Sequence, residues 1–324
     1  MPRLRDRYGY GATDSGERLV LVTESQLTVA VTGAAGFIGR HVREQLTHDG
    51  HRVVPIDRQS SDDPDHIRDD LSDPNALAAG LERLGVDAVV HAAWSGHPRS
   101  AVRNYAGQIR DSVVPTTNTM LACGIARVRK VVLLSSGGGL TAIRQSSGAP
   151  PAYGWAKAVS EGIAESHASM FGYALTTIRP SAVYGPGQNP SAGLGAVTVF
   201  AAAILAGEPI RILGDDTAVR DYLHVRDLAR AVTAALEGGA RGTFDLGGPQ
   251  SVSIRDVIAA LEEATGLTAI VEHRPASGVD PMSVQLDDAP FMDLTGWAPT
   301  EDFDAGVREV VASLRTAGIG TSAR

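Results

Sequence analysis

Three glycines between a predicted strand and a predicted helix constrain this 324-residue chain more than any other feature. The segment LTVAVT predicts a short buried strand from Leu27, and FIGRHVREQL predicts a helix directly after it. Gly33, Gly36 and Gly39 fall in the turn between them, with the spacing G-x-x-G-x-x-G. So tight a turn needs residues without a Cβ, and the free N–H groups at the helix start can receive a diphosphate. The pattern predicts a dinucleotide-binding turn, with contacts from Gly33, Gly36, Phe37, Ile38 and Gly39.

Strands and helices then alternate along the chain to about residue 180. RVVPID, DAVVHAAW, KVVLLSS and ALTTIRP are predicted strands, and predicted helices cover DPNALAAGLERLG, roughly residues 100–126, and YGWAKAVSEGIAESHASM. This rhythm is typical of a parallel sheet with helices on both faces, joined by right-handed crossovers. We therefore expect an α/β fold, a Rossmann-type doubly wound parallel sheet.

The rhythm loosens after Pro186, which predicts a second, smaller unit. Helices are expected at about 196–206, 225–237, 253–265 and 303–315, and strands at PIRIL and GTFDLG. We expect residues 1–26 to be a polar tail and residues 27–180, with later interleaved segments, to form the dinucleotide-binding Rossmann domain. Residues 181–318 should then form mainly a substrate-binding lobe.

Charge and composition exclude several classes of function. The net charge of −8 argues against a nucleic-acid partner, since phosphate backbones are bound by basic surfaces. No apolar run reaches the roughly 18 residues of a membrane span, and the amino terminus lacks the apolar core of a secretory signal, so we expect a cytoplasmic protein without a membrane partner. A single cysteine, Cys123, excludes an internal disulfide framework and a zinc cluster of cysteines, and we predict no metal site.

An acidic residue at the end of the second strand predicts which dinucleotide is bound. Asp57 lies 24 residues after Gly33, where a carboxylate can accept both ribose hydroxyls of NAD and would repel the 2′-phosphate of NADP. Arg58 keeps the alternative open, because a guanidinium could bind that phosphate. We expect NAD as the cofactor, with further contacts from Asp70, Leu71, Ala92 and Ala93.

Tyr153 and Lys157 form the predicted acid–base pair. Their spacing of four residues on a predicted helix places the phenol and the ammonium on one face. A free tyrosine is a poor base at neutral pH because its pKa is near 10, and a fixed ammonium beside it favours the phenolate. Lys157 is one of only two lysines in the chain, the other being Lys130.

The segments GAAGFIG, HAA, SSGGG, YGWAK, RPSAVYGPG and VRDYLHVRDLA together carry a family resemblance over about residues 27–315. In these motifs the chain resembles the extended short-chain dehydrogenases/reductases, the NAD-dependent epimerase/dehydratase family of sugar-nucleotide enzymes. The resemblance implies that Tyr153 is the acid–base group and that Lys157 orients the nicotinamide ribose and lowers the tyrosine pKa. It also implies a nucleotide-sugar substrate and a homodimer formed through the two long helices beside the active strand.

The segment SSGGG departs from the family pattern. The family often places a hydroxyl residue five positions before the Gly of V-Y-G, a triplet that here has become Leu140-Thr141-Ala142. Counting back from Ala142 gives Gly137, which has no hydroxyl. Ser136 is therefore the best candidate for the hydroxyl residue that the resemblance implies will bond the reacting oxygen, and Ser135 is the second. Family dehydratases and decarboxylases carry carboxylates just after the hydroxyl, where this chain has glycines. Epimerisation, ketone reduction and alcohol oxidation remain.

The predicted substrate contacts are also implied by the family resemblance. Arg220 lies in the segment whose arginine clamps the substrate diphosphate, although it could instead be a surface arginine paired with Asp221. Tyr184 is a second expected substrate contact, and Ala182 stands where the family usually has an asparagine. We expect an NAD-dependent epimerase that acts at C4 of a nucleotide sugar. The alternatives are a ketoreductase, a dehydrogenase and a non-catalytic dinucleotide sensor.

Overall fold

The computed structural model describes residues 26–96, 104–146, 149–193, 195–214, 216–275 and 283–319. All but the last residue of the predicted tail, and the first residues of the helix predicted at 100–126, therefore lie outside the described residues. Within the described ranges, no helix is long and apolar enough to cross a membrane, and no group of three His, Cys, Asp or Glu side chains could hold a metal ion.

The strands and helices follow one another in the order that the sequence predicts for an α/β chain. The strands are β1 (Thr28–Thr32), β2 (Arg52–Asp57), β3 (Ile67–Arg68), β4 (Ala88–His91), β5 (Lys130–Leu134), β6 (Ala174–Pro180), β7 (Ala182–Tyr184), β8 (Ile210–Leu213), β9 (Val219–His224), β10 (Gly242–Leu246), β11 (Ser251–Ser253), β12 (Val271–Arg274) and β13 (Ser283–Val284). The helices are α1 (Phe37–His48), α2 (Pro74–Leu84), α3 (Tyr105–Gln108), α4 (Val114–Ile125), α5 (Gly137–Gln145), α6 (Ala152–Phe171), α7 (Ala196–Ala206), α8 (Val225–Glu237), α9 (Ile254–Thr265), α10 (Ala289–Thr295) and α11 (Phe303–Thr316).

Seven strands form one parallel sheet in the order β3-β2-β1-β4-β5-β6-β10. Helices α1 and α8 cover one face, where Val29 and Val31 of β1 point. Helices α2, α4 and α6 cover the other face, where Ala30 packs with the fully buried Cys123. The strand order reverses between β1 and β4, and the crevice at such a point is where α/β sheets of this kind bind ligands. The predicted fold class is confirmed.

The remaining strands and helices build the smaller unit. Strand β9 pairs with β7, β11 and β13, and β8 pairs with β12. Helices α7, α9 and α11 pack around a separate apolar core that contains Tyr184 and Phe303. The chain crosses between the two units more than once, because β10 lies in the large sheet although it follows β7, β8 and β9 in the sequence.

Three helical segments differ from the sequence-based prediction, and one of them is α10, which was not predicted. The stretch expected at 100–126 is divided into α3, a π-helical turn at Ile109–Val113 and α4. Pro115 explains the division, because proline lacks an N–H and its ring clashes with the carbonyl four residues earlier. Helix α5 was not predicted, because glycine disfavours a helix interior by about 1 kcal/mol relative to alanine. The Ser136 side chain caps it by accepting a hydrogen bond from the backbone N–H of Gly139 at 3.1 Å.

Candidate active site

The glycine turn forms a cradle that side chains would fill. Gly33 has a φ of +67°, and a Cβ on it would lie 2.8 Å from the Cα of Ala93. A Cβ on Gly39 would lie 2.1 Å from the carbonyl oxygen of Gly33, well inside van der Waals contact. The turn at β1–α1 thus brings helix and strand so close that backbone alone fits between them, which is what a bound diphosphate requires.

A cavity of about 730 Å³ opens beside this turn at the carboxyl ends of β1, β2 and β4. One carboxylate oxygen of Asp57 accepts a hydrogen bond from the backbone N–H of Ala35 at 3.1 Å, and the other from that of Gln59 at 3.2 Å. Two hydrogen bonds orient this carboxylate at the cavity wall. Most of the predicted cofactor contacts meet here, together with Arg58: Gly33, Gly36, Asp57, Asp70, Leu71, Ala92 and Ala93.

Two residues predicted at the turn lie elsewhere. Ile38 lines a second cavity, and the ring of Phe37 packs edge-on against His41 at 5.9 Å between centroids. Phe37 is not among the described residues that line either cavity. Their assignment as cofactor contacts remains a prediction.

The second cavity, of about 360 Å³, contains the predicted acid–base group. Tyr153 lies in the first turn of α6, and its phenol is hydrogen-bonded to the side chain of Ser136. Burial raises the pKa of Tyr153, and the Ser136 bond lowers it by a smaller amount. In this structure the desolvation of the phenol therefore outweighs the hydrogen bond, which favours the neutral phenol.

Lys157 lies one helical turn after Tyr153 and is 4% exposed. Its Nζ donates a hydrogen bond of 2.8 Å to the backbone carbonyl of Leu134, at the end of β5. Burial lowers the pKa of Lys157 to about 7, while the carboxylate of Glu161, one turn further along α6, raises it. The ammonium is thus a buried charge whose protonation changes near neutral pH.

The two candidate serines have different partners. The Ser135 hydroxyl donates a short hydrogen bond to Glu161, a buried carboxylate that also accepts 3.0 Å and 2.5 Å bonds from Arg179. Ser136 instead contacts the phenol of Tyr153 and caps α5. Ser135 is committed to a buried ion pair, whereas Ser136 faces the predicted acid–base group.

The predicted substrate contacts also border this cavity. The Nη1 of Arg220 donates a hydrogen bond of 2.7 Å to the carbonyl of Val219, and its side chain lines the cavity. Asp221, its alternative partner in the sequence analysis, accepts hydrogen bonds from the Ser251 hydroxyl and the Leu286 N–H.

Tyr184 reaches the cavity from the core of the smaller unit. It is 1% exposed, and its hydroxyl donates a 3.4 Å hydrogen bond to the carbonyl of Phe303. Its ring also packs edge-on against Tyr222 and His224. These contacts give it a structural role besides the predicted contact with substrate.

Two neighbours of the acid–base pair were not singled out from the sequence. Glu161 follows Lys157 at the same four-residue spacing, so the helix periodicity that identified the pair could have identified it. Trp94 comes directly after the HAA segment, and Nζ of Lys157 lies 3.7 Å from the centroid of its ring. Only the tertiary structure brings Trp94 and Lys157 together.

The chain is similar to known proteins of one enzyme family. The model of the NAD dependent epimerase/dehydratase family matches residues 29–247. A UDP-glucose 4-epimerase of Mycolicibacterium smegmatis is 29% identical over 312 residues, covering 88% of this chain and 97% of the relative. A dTDP-4-dehydro-6-deoxy-D-allose reductase of a Streptomyces species is 30% identical over 322 residues, covering 89% and 96%. The crystal structure of UDP-glucose 4-epimerase from Thermotoga maritima with UDP-glucose has a TM-score of 0.81 at 27% identity and covers 90% of this chain and 99% of that one.

Proposed function

We propose, from the premise that this chain belongs to the NAD-dependent epimerase/dehydratase family, that it is a nucleotide-sugar 4-epimerase. The family model covers more than half of the chain, so the chain is an NAD-dependent sugar-nucleotide enzyme of the extended short-chain dehydrogenase type. The observation that carries the finer proposal is the surroundings of Tyr153. This half-buried residue has its phenol hydrogen-bonded to Ser136, one turn from Lys157, in a cavity whose described lining residues include no carboxylate.

The residues beside the glycine turn fit NAD. The close approach at Gly33 and Gly39 admits a diphosphate, and the Asp57 carboxylate lines the same cavity. We propose that Asp57 binds the adenosine ribose and that Lys157 holds the nicotinamide ribose. Bound there, NAD would supply a reversible acceptor for the hydride of the sugar carbon.

The side chains of this protein would handle the proton. We propose that Tyr153, as the phenolate that the neighbouring Lys157 ammonium favours, removes the proton of the C4 hydroxyl and returns it when the sugar is reduced again. Ser136, already bonded to the phenol, would donate a hydrogen bond to the same sugar oxygen. General base catalysis of this kind commonly contributes about 10² to 10⁴ in rate.

A single acid–base group favours a reaction without elimination. Loss of water or of a carboxyl group by family enzymes uses carboxylates at the segment that here reads Gly137-Gly138-Gly139. An added Cβ would meet nothing within 4 Å at Gly138, but it would lie 2.5 Å from Leu286 at Gly137 and 3.1 Å from the Tyr153 ring at Gly139. None of the three glycines brings a carboxylate to the phenol, which suits a reaction without elimination.

Purified protein should carry NAD or NADH, because an epimerase needs its hydride back in every cycle. We expect interconversion of UDP-glucose and UDP-galactose without added cofactor. The measurement is a mass spectrum of the supernatant from denatured protein beside an assay of both sugars. Cofactor-free protein that consumes reduced cofactor stoichiometrically with a 4-keto sugar would contradict the epimerase.

That outcome would promote the second candidate, a 4-ketoreductase. The resemblance to the Streptomyces reductase, at 30% identity over nearly the whole chain, supports it. Protein that binds NAD and is inert with every nucleotide sugar would instead indicate a dinucleotide sensor.

Arg220→Ala should weaken the binding of a nucleoside diphosphate by about 1.5–3 kcal/mol, because a charged hydrogen-bonding group is lost from the cavity wall. Isothermal titration with UDP measures this change. Arg211→Ala is the matched control, since Arg211 is an exposed arginine on β8 outside both cavities. Equal dissociation constants for the Arg220 variant and the wild type would place the phosphate site elsewhere.

We also propose that the protein is a homodimer formed through the α3–α4 segment and α6. Five of the ten exposed large apolar side chains among the described residues lie there: Ile109, Val114, Ile125, Met170 and Phe171. Clusters of exposed apolar residues are typical of protein interfaces. Light scattering should then give the mass of two chains. The division at residue 180 and the cytoplasmic location stay predictions from the sequence.

A further inference from the structure

Trp94 contacts both members of the predicted acid–base pair. Nζ of Lys157 lies 3.7 Å from the centroid of its ring, and the phenol ring of Tyr153 meets the indole edge to face at 6.0 Å. The same side chain lines the dinucleotide cavity, where it follows Ala92 and Ala93. Trp94 is therefore placed where the acid–base pair and the dinucleotide cavity meet.

We propose that Trp94 is a positioning residue of the reaction centre, whose ring face holds the Lys157 ammonium and whose T-shaped contact fixes the Tyr153 ring. A cation over the face of tryptophan is attracted by the ring quadrupole, most strongly where water is excluded. Lys157 is 4% exposed, so this contact lies in such a place. The inference rests on the proposed function, because it assigns Trp94 to the same pair.

The other groups around Lys157 stabilise its charged amine only in part. The indole of Trp94 therefore contributes an important share of that stabilisation. On α6, Glu161 divides its carboxylate between Arg179 of β6 and the Ser135 hydroxyl. On β4, His91 is buried, and its pKa is lowered to about 3 by burial and by the charge of Lys157, so its ring is neutral. The Leu134 carbonyl accepts one hydrogen bond from Nζ.

His91 is also held by hydrogen bonds on both sides. Its Nδ1 lies 2.9 Å from the Thr32 hydroxyl and its Nε2 3.0 Å from the Thr116 hydroxyl. A neutral ring with both nitrogens in use does not supply negative charge to Lys157. The face of Trp94, the Leu134 carbonyl and the shared Glu161 carboxylate are then the described groups that favour the charged amine.

The sign of the expected effect follows from burial. Burial lowers the pKa of Lys157 to about 7, and a contact that favours the charged amine raises it from where it would otherwise lie. Trp94→Leu removes the ring but keeps an apolar neighbour, so the pKa of Lys157 should fall by about one unit. The charged amine, present below its pKa, would then be lost at a lower pH than in the wild type.

The two lysines of the chain make this measurable in the whole protein without substrate. Labelling lysine with ¹³C at Cε gives one signal from Lys157 and one from Lys130, whose Nζ is bonded to the Leu236 carbonyl and serves as internal reference. We expect the Lys157 Hε protons of the wild type to show an upfield ring-current shift. Trp94→Leu should abolish this shift and lower the pKa by about one unit, whereas Trp94→Phe, which keeps a ring face, should stay near the wild type.

Trp155→Leu is the matched control, because Trp155 lies on α6 but packs against Tyr105 at 5.4 Å. It should leave both Lys157 signatures unchanged. An unchanged or raised pKa of Lys157 in Trp94→Leu would overturn the inference, as would a wild type without the ring-current shift. The ring-current shift is measured on the wild type alone, so it tests the inference even if the Trp94→Leu protein does not fold. Because neither readout uses turnover, a failure here and a failure of the proposed epimerase can be told apart.

Discussion

Tyr153→Phe is expected to lower turnover by a factor of about 10² to 10⁴ while NAD still binds. The substitution removes one oxygen from a buried site and leaves the ring and its edge contact with Trp94. Without the phenol, Ser136 remains the hydroxyl group beside the sugar oxygen, and an alcohol with an ordinary pKa is a poor base. Steady-state kinetics with the preferred sugar measure the loss, and a titration with NAD measures the retained binding.

Tyr173→Phe provides the control for this change. Tyr173 is buried, at 6% exposure, and its hydroxyl has no hydrogen-bond partner among the residues that the structure describes. It packs in the core beside α2 and α4, away from both cavities, so its variant should turn over like the wild type. Full activity of Tyr153→Phe would move the acid–base chemistry to another residue.

Gly39→Ala is expected to damage the dinucleotide cradle itself. The added Cβ would lie 2.1 Å from the Gly33 carbonyl oxygen and 2.8 Å from its carbon, and both are backbone atoms that cannot swing aside. The start of α1 must then move away from the turn, at a cost of about 3 kcal/mol or more in the free energy of unfolding. Because the displaced N–H groups are those that would face the diphosphate, NAD binding should weaken by about a hundredfold.

Gly162→Ala separates this effect from the general consequence of replacing a helical glycine. Gly162 lies on the exposed side of α6, and a Cβ there would meet nothing within 4 Å. Its variant should bind NAD normally and gain about 0.5–1 kcal/mol, since alanine is the better helix residue. Thermal unfolding and an NAD titration on both variants make the comparison. A Gly39→Ala protein with wild-type midpoint and affinity would contradict the close packing described for the turn.

Local chemistry explains which parts of the fold could be predicted from sequence. Helix α2 begins where Asp73 and Pro74 indicate, because Asp73 accepts hydrogen bonds from the N–H groups of Asn75 and Ala76. The longer strands of the large sheet are apolar runs between polar turns, and those patterns were sufficient for all of its strands except the two-residue β3, which was not predicted. The short strands of the smaller unit were mostly missed. Strand β9 carries Arg220, Asp221 and His224 in six residues, and such a strand is stabilised by its partners rather than by its own pattern.

The candidate site likewise has one part that the sequence predicts and another that only the tertiary structure assembles. The glycine turn, Asp57 and the Tyr153–Lys157 pair belong to short segments in which spacing along the chain determines spacing in the molecule. Trp94 and Arg179 lie far from Lys157 and Glu161 in sequence, and the sheet brings them together. Sequence reasoning also could not separate Ser135 from Ser136, because their difference lies in which of them meets the buried Glu161.

The position of β10 has a consequence for how the protein can be made. This strand completes the large sheet beside β6, yet it ends at Leu246, and residues 181–241 are synthesised between the two. Helix α8 lies in that sequence interval and packs beside α1 on the large sheet, so it also emerges late. During translation the edge of β6 therefore stays unpaired while the first part of the second unit, from β7 to β9, leaves the ribosome. A nascent chain stalled before Leu246 should expose that edge to chaperones, and no single cut can release the cofactor half as an intact fragment.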